Sequence, residues 1–147
     1  MKRIVLYLLF ALLLVSCGKQ SKTLSELKSE YVTIDDSIRV HYKLWNESVG
    51  SDAKTICFVH GFGCDINTWE KQFEAFRDGK DLQLVFIDLP GYGLSDKPHV
   101  EYTLDFFAHA IDEVLNVNSI KDAVFVGHSL GTPVCRQTLM TDRKSVV

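Results

Sequence analysis

The chain has 147 residues, 46% of them hydrophobic and 24% charged, and a net charge of −3. That is enough for one modest domain, in a composition that excludes both a disordered chain and a polytopic membrane protein. No basic cluster runs along it, so nucleic acid is not an expected partner.

Lys2 and Arg3 precede an unbroken apolar stretch at residues 4–15. The stretch is short for a bilayer span and of the right length for the apolar part of an export signal. It ends in Leu14-Val15-Ser16-Cys17, which resembles a bacterial lipobox. The resemblance implies a signal peptide over residues 1–16, cleavage before Cys17 and lipid on Cys17. The protein is then expected in the bacterial cell envelope, held to a membrane through that lipid anchor. An ordinary signal peptide, or an uncleaved anchor with Cys17 incidental, is the alternative. Residues 17–30 are polar and read as a flexible tether, with the folded domain expected over residues 31–141.

Residues 31–34 and 38–45 alternate in the strand period around Asp35-Asp36-Ser37 and predict an antiparallel hairpin. Continuous apolar runs at 55–59, 82–87 and 123–126 suit parallel strands covered on both faces. Between them, residues 67–77 carry Trp69, Phe73 and Phe76 at helical spacing. Residues 102–117 set Phe107, Ala110, Ile111, Val114 and Leu115 on one stripe. A third helix is expected over 130–140, with Pro133 tolerated in its first turn. The alternation predicts an α/β fold with a mostly parallel, doubly wound sheet and an N-terminal antiparallel hairpin. Cys57 and Cys135 read as core residues, and a Cys57–Cys64 disulfide would distort the loop at residue 64.

Two motifs carry chemistry. Gly127-His128-Ser129-Leu130-Gly131 follows an apolar strand. This pattern suits a sharp strand-to-helix turn in which the serine backbone is strained and its hydroxyl stands clear. His60-Gly61-Phe62-Gly63 ends the strand at 55–59. A loop there can aim a backbone N–H at the end of a neighbouring strand, and acyl transfer needs two such donors for the oxygen that becomes negative. The expected pair is the N–H of Phe62 and the N–H of Leu130. A third segment, Asp88-Leu89-Pro90-Gly91-Tyr92-Gly93-Leu94-Ser95, is another strand end running into a glycine-rich turn.

In this order and spacing the three segments resemble the N-terminal half of an α/β-hydrolase-fold enzyme, over roughly residues 31–140. The resemblance implies a serine hydrolase acting on an ester, amide or related acyl bond of a small molecule. Ser129 would be its nucleophile, and Phe62 and Leu130 its oxyanion donors. His60 would brace the loop, with Gly61, Gly63, Gly127, His128 and Gly131 completing the motifs. No metal or other cofactor is implied. Relatives that open epoxides or remove halides carry Asp at the nucleophile position, so Ser129 disfavours that chemistry.

The family's acid and histidine follow the nucleophile, whereas none of the 18 residues after Ser129 is a histidine. His41, His99 and His109 read as surface residues. The natural chain is therefore expected to continue past Thr141, with residues 142–147 a non-native tail. The strand before Ser129 is then left as an exposed edge, and the fragment itself is expected to be inactive. A catalytically inactive, hydrolase-like binding protein at the membrane is the other reading.

Overall fold

A computed structural model of the chain describes residues 22–47 and 53–141. The export signal, Cys17 and the tail at 142–147 lie outside the described residues. The five strands are β1 (Glu30–Ile34), β2 (Ile38–Trp45), β3 (Lys54–Val59), β4 (Leu82–Ile87) and β5 (Val124–Gly127). The helices are α1 (Glu70–Phe76), which continues a 3-10 turn at Ile66–Trp69, α2 (Leu104–Val117) and α3 (Gly131–Thr141). The strands form one sheet in the order β1-β2-β4-β3-β5. β1 and β2 pair antiparallel, as do β2 and β4, while β3 runs parallel to both β4 and β5. The hairpin, the parallel strands and the first two helices thus stand where the hydrophobic periods placed them, and α3 follows the Ser129 turn as expected.

The continuous apolar runs have the expected cause. Alternate residues of β3 and β4 face opposite layers, and both layers are closed. Cys57, Val59, Val85 and Ile87 pack against α2 and α3 through Phe107, Ile111, Val114 and Val134. Phe58, Leu84 and Phe86 pack against Phe73 of α1 and Trp69 of the 3-10 turn before it. The Phe58 and Phe86 rings stack, with centroids 4.9 Å apart. Thr103 starts α2 by accepting a hydrogen bond from Phe106 N–H at 3.1 Å, which fills one of the donors a helix start leaves open. Of the predicted α1 aromatics, Trp69 and Phe73 are buried and Phe76 is 40% exposed.

Residues 22–30 differ from expectation. They are not a flexible tether. Residues 24–26 form a 3-10 turn, and Leu24 and Leu27 are core residues against Phe73 and Phe86. Glu70 accepts from Leu24 N–H at 3.0 Å. The buried Lys43 ammonium donates to the carbonyls of Leu24 and Ser25 at 3.1 and 2.9 Å. Arg77 donates to Lys22 O at 2.8 Å. Two leucines three residues apart give this polar stretch enough apolar area to dock, and its last residue, Glu30, already belongs to β1. Burial beneath this strap pulls the Lys43 pKa below its ordinary value.

Candidate active site

The strand ends set the geometry. Parallel pairing aligns Val59 with Gly127, so β3 and β5 finish at the same rim of the sheet. Past Gly127 the chain reverses sharply into α3. His128 N–H donates to Val59 O at 3.0 Å, and Gly131 N–H and Thr132 N–H close the turn onto His128 O and Ser129 O. Ser129 sits at the apex with φ +52°, in the left-handed region that costs a non-glycine residue about 1–3 kcal/mol. The flanking glycines are demanded by close approach. A Cβ on Gly131 would overlap Val59 O, and one on Gly127 would lie 2.7 Å from the Gly131 backbone. Ser129 is exposed, and its hydroxyl has no protein hydrogen-bond partner among the described residues.

The second motif meets the first. A Cβ on Gly61 would lie 2.8 Å from His128 Nδ1 and 3.0 Å from Ser129 Cβ, so the Gly61 backbone lies directly against the turn. Phe62 follows at once, its ring 78% exposed and edge-on to Tyr92 at 6.0 Å. Its side chain is therefore not core packing. Among the described residues, neither Phe62 N–H nor Leu130 N–H donates to a protein acceptor. Gly63 continues the loop with φ +70°, and Cys64 N–H closes it onto Gly61 O at 3.2 Å. Beside this loop a cleft of about 460 Å³ opens, walled by Cys64, Asp65, Thr68, Tyr92 and Lys97.

His60 is fully enclosed. Its Nε2 accepts from Leu89 N–H at 3.0 Å, which places the ring proton on Nδ1, where it donates to Gly61 O at 2.8 Å. Burial holds its pKa below the ordinary value of 6.5. His41 is the residue sequence reasoning misjudged. Expected at the surface, it is 1% exposed, with Nδ1 2.8 Å from Asp88 Oδ2 and Nε2 2.9 Å from Ser29 Oγ. The reason is topological: β2 is an inner strand, and Tyr31 and Ser29 cover the ring. Burial works to raise the Asp88 carboxyl pKa. The hydrogen bonds from His41, Leu94 N–H and Ile66 N–H outweigh it and hold the group below the usual carboxylate value. His99 and His109 are exposed, as expected.

Cys57, Cys64 and Cys135 are free thiols. Burial pushes the Cys57 thiol well up and the Cys135 thiol to about 12, so both are inert core groups. Among the described residues no cluster of His, Cys, Asp and Glu is arranged to hold a metal ion, and no helix is long and apolar enough to cross a membrane.

A family model described as the alpha/beta hydrolase fold matches residues 54–146, which span the Phe62 loop, the Asp88 turn and the Ser129 turn. The chain belongs to this family. Within the alpha/beta hydrolase fold family it is 34% identical over 102 residues to the dihydrolipoyllysine-residue acetyltransferase component of the acetoin cleaving system of Cupriavidus necator, covering 69% of this chain and 26% of that protein. It is 31% identical over 106 residues to bifunctional epoxide hydrolase 2 of Rattus norvegicus, covering 71% of this chain and 18% of that one. A solved structure described as Est816, an N-acyl homoserine lactone degrading enzyme, superposes with a TM-score of 0.69 at 28% identity. The match covers 80% of this chain and 42% of that one. The chain thus spans about a quarter or less of these two curated relatives.

Proposed function

We propose that the natural protein is a serine hydrolase that cleaves an ester, amide or related acyl bond of a small substrate through Ser129. The observation that carries this reading is the contact of the Gly61 backbone with Ser129 and His128. It brings a strained, exposed serine and two unengaged backbone N–H groups to one rim of the sheet. In the first step Ser129 Oγ bonds to the carbonyl carbon as its proton passes to a base. The carbonyl electron pair moves onto oxygen, where Phe62 N–H and Leu130 N–H receive it. Collapse of that oxyanion expels the leaving group with a proton. Water then repeats the sequence on the acyl-serine and releases the acid. His60 is not the base, because both its ring nitrogens are engaged inside the protein. The mechanism also requires a base and a carboxylate to orient it. Related proteins act on epoxides and on acyl homoserine lactones by their names. A serine at position 129 favours acyl chemistry over epoxide opening, which in relatives uses a carboxylate nucleophile.

A fluorophosphonate probe tests the assignment on the natural protein. Labelling lost in Ser129→Ala supports it. A folded protein that is not labelled, or a Ser129→Ala variant labelled equally, overturns it in favour of a hydrolase-like binding protein. We further propose that Cys17 carries lipid and holds the protein to a membrane of the cell envelope. The charged, apolar and cysteine-terminated pattern of residues 2–17 supports this. Cys17→Ser is expected to move the protein from the membrane to the soluble fraction, and retention in the membrane counts against lipidation.

A further inference from the structure

Two consecutive residues at the exit of β4 hold the two ends of the Phe62 loop. Leu89 N–H donates to His60 Nε2, and His60 in turn holds Gly61 O, which secures the near end. Asp88 Oδ1 accepts from Ile66 N–H at 2.8 Å, which secures the far end. The other carboxylate oxygen accepts from His41 Nδ1–H at 2.8 Å and Leu94 N–H at 2.9 Å. Ser95 Oγ donates to Asp88 O at 2.6 Å and accepts from His41 N–H at 2.8 Å, closing the ring. Asp88, His41 and Ser95 are each 3% exposed or less. The carboxylate fits only because Gly93 has no side chain, since a Cβ there would overlap it. An interior carboxylate is costly to desolvate unless its lone pairs are filled. Apolar packing would close the same space without that cost, but it would not fix Ile66 N–H to β4 in direction as well as distance.

We infer that Asp88 is a positioning residue for the oxyanion site: by clamping Ile66 to the end of β4 it sets where Phe62 N–H points relative to Ser129. This rests on the reading of Ser129 and Phe62 given above. Loosening one end of a five-residue loop lets the donor drift, and a displacement near 1 Å costs on the order of 100-fold in rate.

The experiment uses the natural protein and a fluorophosphonate probe, separating the maximal labelling rate from the half-saturating probe concentration. Asp88→Asn, whose amide cannot accept from three donors, is expected to lower the maximal rate about tenfold or more. The half-saturating concentration should stay within about twofold. Ser95→Ala removes bonds in the same ring but leaves the Ile66 clamp, so it should lose stability yet label within about twofold of wild type. Ile66→Pro removes the clamped N–H and also trims a side chain that is 2% exposed in the α1-side core, so its folding is checked by urea unfolding. Ile66 opens the 3-10 turn, and Asp65 before it is already extended at φ −146°, as a proline requires. It should reproduce the labelling defect even where Asp88→Asn folds poorly. Hydrogen exchange at Cys64 N–H, which closes the loop onto Gly61 O, gives a readout independent of Ser129. It should quicken about tenfold or more in Asp88→Asn while β3 stays protected. Wild-type labelling and exchange in both clamp variants would sink the proposal. So would a Ser95→Ala labelling loss equal to that of Asp88→Asn. Absence of labelling in wild type indicts Ser129 instead, and the exchange experiment then decides the clamp alone.

Discussion

The two flanks of the β3–β4 pair are held by different physics. On the α1 flank Leu24, Phe73, Leu84 and Phe86 are fully enclosed, and the stacked Phe58 and Phe86 rings sit at the centre. On the β5 flank the strand pairs with β3 alone among the described residues, Val124 is 55% exposed and Phe125 and Val126 are half-buried. The Ser129 turn is nevertheless sharply defined, because Gly127 and Gly131 let two backbones touch. One flank depends on apolar area and the other on the absence of side chains. A site can therefore be well formed where the core is thin.

The strongest way to break the first flank is Phe86→Ala, which leaves a cavity between Phe58 and Phe73 and is expected to cost about 4 kcal/mol in urea unfolding. Gly131→Ala attacks the second flank by forcing a methyl into Val59 O. It should cost about 3 kcal/mol and abolish phosphonate labelling, although it adds apolar area.

His60→Gln sharpens the comparison through pH. The folded pKa of His60 lies below 6.5, so above that value both the folded and unfolded chains are neutral there and its contribution is complete. As pH falls, the unfolded chain takes up a proton that the folded chain refuses, and stability drops towards the folded pKa. Urea midpoints measured from pH 7 to pH 5 should fall in the wild type and fall less steeply in His60→Gln. Equal slopes would mean that His60 is not buried neutral.

Ser129→Gly removes the left-handed strain at φ +52° and should raise stability by about 1 kcal/mol while ending labelling. Val124→Thr, on the exposed edge, should change stability by no more than about 0.5 kcal/mol.

Strands and helices were legible because each apolar run or stripe matched a covered face, as at residues 55–59 and along Phe107, Ile111 and Val114. The site motifs were legible because glycine at fixed offsets from a strand end marks a place where two backbones must touch. His41 and the 22–30 segment were not. The alternation Ile38-Arg39-Val40-His41 gave no hint that His41 would be covered, since what covers it is Ser29 and Tyr31. Those residues act through tertiary contacts that no local pattern encodes. The one available signal was Leu24 and Leu27, a half-turn of apolar surface in a polar stretch. The Asp88 ring was likewise hidden, because its partners come from three separate segments.

The docked strap also acts as a short leash. Lys22 is pinned by Arg77, so only five residue steps separate it from Cys17, a reach of about 18 Å when fully drawn out. Whatever is joined at residue 17 stays close to the α1 side of the domain. The lipid proposed for Cys17 would therefore hold the domain nearer its anchor than fourteen loose residues would.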